Sequence, residues 1–157
     1  MSRVSDRKNT TRGGPPIGPS ELRILLVLMQ ALAIGLTWHL WQVRTVSGDA
    51  PNLPMIDARW ADPIQFSFGW PLLLSLALAM AWPKIGISAH CGLLVIAIAL
   101  DQLRIQPEFV SVAILLIGTL PGKGPRRLAR CHLMALWFWA GLHKVFSAGY
   151  LFDSGPR

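Results

Sequence analysis

Apolar runs about as long as a bilayer is thick, separated by short basic turns, constrain this chain more than any other feature. Leu22 to Val43 is the first run and Ile64 to Trp82 the second. Ile85 to Gly122 is apolar except around "LDQLRIQPE" and holds enough residues for two more, joined near Gln106-Pro107. A last run covers roughly Leu128 to Phe146. One crossing of a hydrocarbon core takes about 20 mostly apolar residues. The chain is 52% hydrophobic and only 15% charged, whereas a soluble domain of similar apolar share carries about 25% charge. Mean hydropathy is +0.44. These features predict an all-α integral membrane helical bundle of about five transmembrane helices.

The net charge of +7 does not point to nucleic acid. The basic residues stand in short clusters between apolar runs, which is how cytoplasmic loops are anchored. With the N-terminus inside, the inner segments hold Arg3, Arg7, Lys8, Arg12 and Arg23, then Lys84, then Lys123, Arg126, Arg127 and Arg130. The outer segments hold Arg44, Arg59 and Arg104, accompanied by acids. This asymmetry predicts a multi-pass protein of the cell membrane with a cytoplasmic N-terminus. It also supports the fourth span, of which only Phe109 to Leu120 is cleanly apolar.

Residues 1–20 are polar and rich in Gly and Pro, a composition that cannot bury a core and predicts a disordered cytoplasmic tail. Residues 21–152 form the expected five-span domain, and 153–157 an external tail. Ser20 is placed to cap a helix beginning at Glu21. The first run is longer than a signal-peptide core and no A-x-A site follows it, so an uncleaved span is expected. Pro83-Lys84 predicts a tight turn, and Arg44 to Asp62 a long polar external loop.

Two sequence features suggest chemistry and fail on spacing. "GTLPGKG" has the flavour of a phosphate loop, but no Ser or Thr follows Lys123, so it reads as a turn. Cys91 and Cys131 lie in apolar runs without a CxxC or zinc spacing and read as packing residues. No metal site and no cofactor is assigned. Trp38, Trp41, Trp60, Trp70, Trp82, Trp137 and Trp139 are many for a chain of this length. Several fall near span ends, where the interface favours indole rings.

The costly residues are His39, His90, Asp101, Arg104, His143 and Lys144. An ionisable group well inside a span costs about 2.5–3.5 kcal/mol on insertion scales, so such groups face a cavity, a partner or the interface. Lys144 can snorkel outward along its own stem, or it can line a pocket. Asp101 and Arg104, one turn apart, can pair with each other. His39 reads as interfacial, and His90, deeper, as either a hydrogen-bonded core histidine or a functional one.

"WFWAGLHKVFSAGYL", Trp137 to Leu151, resembles the "Y-F-x-A-G-x-x-K-L" helix of the HTTM (horizontally transferred transmembrane) family, which includes the vitamin K-dependent gamma-carboxylases. "LDQLRIQP" also looks like a loop of bacterial relatives. The resemblance implies a membrane domain entered with the N-terminus inside. It implies that Lys144, beside His143, is the catalytic base acting on a lipid-soluble quinol, and that His90 stands where a helix histidine matters in the family. Val145 replaces the usual leucine. Family members continue beyond this helix, so a truncated product, a split subunit or a minimal relative with a different job is expected.

Two functions remain open from the sequence. One is a membrane enzyme acting on a quinone-like or lipid substrate through Lys144. The other is a non-enzymatic membrane subunit whose polar residues meet a partner subunit. A transporter is disfavoured by the lack of an inverted repeat. Counting helix rise from Arg23, Lys84 and Arg130 puts His39, Asp101 and Lys144 at about 21–25 Å, one level in the outer third. That predicts a polar pocket of His39, Asp101 and Lys144 opening outward, with Asp101 as the partner of Lys144 and Arg104 competing for it. His90 falls below that level but stays among the candidate substrate-pocket residues with Asp101, Arg104 and His39.

Overall fold

The structure, a computed structural model, describes residues 18–42 and 67–146. The tail 1–17, the polar loop Arg44 to Asp62 with Trp60, the start of the second apolar run and the tail 153–157 lie outside the described residues. Among the described residues every regular element is helical: α1 (Pro19–Leu36), α2 (Gly69–Ala81), α3 (Pro83–Leu100), α4 (Pro107–Gly118) and α5 (Lys123–Phe146), with 3₁₀ turns at Trp38–Trp41 and Gln102–Arg104.

The chain breaks where backbone chemistry requires it. Proline has no N–H to give to a helix but fits its first turn, and Pro19, Pro83 and Pro107 each open a helix. Between α2 and α3 stands a single residue, Trp82. The expected turn at Pro83 and break at Gln106-Pro107 are therefore both present. The start of α1 differs from expectation: Ser20 lies within the helix, and Gly18 is the cap residue, its N–H donated to Glu21 Oε2 at 3.0 Å. At the other end, the Thr37 hydroxyl donates to Ala33 O at 2.7 Å and accepts the Trp41 indole N–H at 3.1 Å. This side chain occupies the carbonyl of the last turn and holds the following 3₁₀ segment against the helix end.

Helices α1 to α4 pack together, with α2 and α3 the most intimate pair, and α5 packs on α4. Gly86 makes the first contact possible, since a Cβ there would collide with the backbone of Ala79. Gly118 does the same for the second against the Ala129 methyl. Small residues that let helix backbones approach are the usual device of membrane bundles, where burial of apolar surface offers no drive. The core between α1 and α4 holds Ile34, Trp41, Leu72, Leu76, Ile87, Leu94, Phe109 and Leu116. Trp41 is fully buried and meets Phe109 edge-on at 4.8 Å, so it is a core residue rather than part of an interfacial belt. Trp38 and Trp70 form a second edge-to-face pair at 5.0 Å.

Only α1 and α3, each 18 residues with mean hydropathy 1.5 and 1.7, are long and apolar enough to cross a membrane by themselves. Helices α2 and α4 have 13 and 12 residues, about 20 and 18 Å at the usual rise. Helix α5 has 24 residues but starts on a strongly basic turn. Among the described residues there are five α-helices, and two of them are long and apolar enough for a span.

Candidate functional site

Side chains in α1 sort into two faces. Leu26, Val27, Gln30 and Ile34 point into the bundle, while Leu25, Leu28, Met29, Leu32 and Leu36 point out, Leu36 being 74% exposed. The same inversion holds elsewhere: Trp70, Leu74, Ile85, Val95 and Ile96 are exposed, while Gln30, Ser75, His90, Arg104 and Thr119 are buried. A water-soluble fold keeps polar groups outside; buried polar groups beneath a broad apolar surface are the informative departure.

The Thr119 hydroxyl donates back to Leu116 O at 2.7 Å, and the other buried polar groups form two clusters. The first lies at the middle of the bundle around His90, which is 0% exposed. The Ser75 hydroxyl donates to Leu72 O at 2.7 Å and lies 2.9 Å from His90 Nδ1. Because that hydroxyl has one proton, already given to Leu72, Nδ1 must carry the ring proton and donate it to Ser75 Oγ. Nε2 is then the acceptor, and the Gln30 amide nitrogen lies 3.3 Å from it and 3.5 Å from Phe109 O. Through one imidazole the cluster links α1, α2 and α3, and Gln30 carries it to α4. Gln30 Oε1 is buried and has no partner.

The second cluster closes the opposite end of α3 from Pro83. Arg104 donates from Nε to Leu40 O at 2.8 Å, from one terminal nitrogen to Ala97 O at 3.1 Å and from the other to Gln42 O at 3.1 Å. Its guanidinium lies 5.6 Å from the centre of the Phe68 ring and 3.9 Å from the Asp101 carboxylate. Burial lowers the Arg104 pKa, opposed by the charge of Asp101. A planar fork of five donors suits three converging carbonyls as no ammonium could. Arg104 is thus a clasp that ties the end of α3 to the segment after α1.

The predicted site residues are distributed as follows. Asp101 pairs with Arg104 and not with Lys144. His39 is exposed on the 3₁₀ turn. His143 and Lys144 lie in the last turns of α5, a helix with no buried residue; Lys144 is exposed and lines a shallow groove of about 450 Å³ with Leu136, Trp137, Ala140 and Gly141. His90 meets Gln30 and Ser75, residues that sequence reasoning missed. Gln30 had a signal: it is the lone amide in an otherwise apolar face of α1. Among the described residues no group of His, Cys, Asp and Glu is arranged to hold a metal ion.

What the fold and these clusters define is a helical bundle whose apolar core encloses a few buried polar groups beneath a broad apolar surface. No family model, curated protein or solved structure matches the chain.

Proposed function

We propose that this chain is a multi-pass integral membrane protein resembling the membrane portion of the HTTM family, with α1 to α4 embedded in lipid and α5 presenting Lys144 to a lipid-soluble, quinone-like substrate. The observation that carries the membrane reading is the broad apolar outer surface, with Leu28, Leu32, Leu36, Leu74 and Val95 outside while Gln30, Ser75 and His90 are held inside. Lipid tolerates the first set and would penalise the second if the sets were exchanged. The end bearing Arg23, Lys84 and Arg126 is cytoplasmic in this reading.

The Lys144 groove supports the substrate reading in shape and chemistry. Ala140 and Gly141 leave room beside the Trp137 indole, and the ammonium stands at one edge without an ion-pair partner among the described residues. A flat aromatic ring can lie against the indole while the amine meets its hydroxyl. In a second reading the chain is a non-enzymatic membrane subunit and α5 is its contact helix, which the complete absence of buried residues on α5 favours.

Alkaline carbonate extraction tests integration, and reporters fused after Lys123 and after Gly155 test topology. The protein should stay in the membrane, with the first reporter cytoplasmic and the second external; both on one side refutes the arrangement. Photo-crosslinking with a quinone probe then separates the two functions. Labelling of wild type that drops in Lys144→Met supports the substrate site. Equal labelling of both proteins leaves α5 as a contact helix.

A further inference from the structure

A cleft of about 520 Å³ opens at the end of the bundle where α1 starts, α2 turns into α3, and α4 turns into α5. Ala81, Trp82, Pro83, Ile85 and Pro121 give it an apolar floor, and Arg23, Lys84 and Arg126 stand around it. None of the three cations has an ion-pair or hydrogen-bond partner among the described residues. Glu21, the acid in the first turn of α1, is turned to the Gly18 N–H, and the first turns of α3 and α5 carry no acid. Arg126 is shared with a second groove lined by Lys123, Arg127 and Arg130. The cleft is therefore apolar below, cationic at its rim, and continuous with a wholly basic strip.

We infer that this cleft binds an anionic glycerophospholipid, with the start of its acyl chains on the apolar floor and its phosphate among Arg23, Lys84 and Arg126. A free phosphate would meet the cations but leave the floor wet, and a neutral lipid would fill the floor but leave three charges uncompensated. Only an anionic lipid answers both halves of the lining. Basic pockets between helices on the cytoplasmic side of membrane proteins recognise such headgroups. The helix N-termini of α1, α3 and α5 add positive potential at the same end.

This inference rests on the membrane reading above, and its test is chosen to fail separately. The full chain is reconstituted in nanodiscs of phosphatidylcholine with an equal share of phosphatidylglycerol, and co-purified lipid is measured by native mass spectrometry. Carbonate extraction is run on every variant. Phosphatidylglycerol should be retained over phosphatidylcholine, and the preference should fall with added salt. Each cation removed should weaken it roughly fivefold, so R23Q/K84Q/R126Q loses on the order of 100-fold. R23K/K84R/R126K, which keeps the charge, should retain it. Equal retention of both lipids by integrated wild type overturns the inference, as does an integrated triple-Gln variant that still prefers phosphatidylglycerol. If the triple-Gln variant fails to integrate, a salt-insensitive preference in wild type overturns it and a salt-sensitive one supports it. Release of wild type by carbonate instead removes the membrane reading itself.

Discussion

His90→Leu should destabilise the bundle more than His90→Leu combined with Gln30→Leu. The imidazole makes two side-chain contacts, 2.9 Å to Ser75 and 3.3 Å to Gln30. Hydrogen bonds between membrane helices are worth about 0.6 kcal/mol on average and about 1.7 at most, so losing two costs about 1–3 kcal/mol. Replacing the ring also leaves the buried Gln30 amide with only its 3.5 Å contact to Phe109 O, while Oε1 has no partner already. A stranded buried polar group costs about 1–3 kcal/mol more. His90→Leu should therefore cost about 2–6 kcal/mol. Adding Gln30→Leu removes the stranded amide, and Ser75 keeps its bond to Leu72 O, so the double variant should recover about 1–2 kcal/mol. The assay is reversible unfolding in mixed micelles or steric trapping in bicelles, run on all four corners of the cycle. A double variant less stable than His90→Leu alone would refute the bonding scheme, because it would mean that Gln30 stabilises the bundle without His90.

Arg104→Met should loosen the end of the bundle by about 3–5 kcal/mol, since it strips three carbonyls of a shared charged donor; Arg104→Lys should recover only part, because one ammonium cannot reach all three. Unfolding measurements check both, and a Lys variant as stable as wild type would refute the clasp. Gly86→Ala should cost about 1–3 kcal/mol or more through the clash with the Ala79 backbone, read in the same assay, whereas Gly92→Ala, with open space around its Cα, should be neutral. Equal effects at the two glycines would dispose of the packing argument.

The helix breaks were legible because they depend on local covalent chemistry: Pro83 and Pro107 cannot continue a helix wherever they stand. The i, i+3 pair of Asp101 and Arg104 was legible for a similar reason, as helical spacing brings them within 3.9 Å. The larger part of what Arg104 does was not, because its acceptors at Leu40 and Gln42 are backbone carbonyls more than sixty residues away and leave no trace in side-chain identity. Depth counting set His90 at another level from the other ionisable residues, but it carries no angular information. It placed Asp101 and Lys144 at one level without saying that α5 packs on α4 and leaves Lys144 exposed. The start of α1 was misplaced by two residues because Ser20 is a better intrinsic cap than glycine, yet Glu21 reaches back to the Gly18 N–H and Pro19 favours the first helical position.

In the proposed membrane setting, the single residue between α2 and α3 bears on how the chain is inserted. Helix α2, about 20 Å long, is too short to hold a crossing as a separate unit, and one residue gives it no slack to wait at the surface while α3 is synthesised. In the proposed membrane reading the pair partitions as one hairpin, with Gly86 seated against Ala79. On that reading the glycine serves insertion as well as the close packing of α2 and α3.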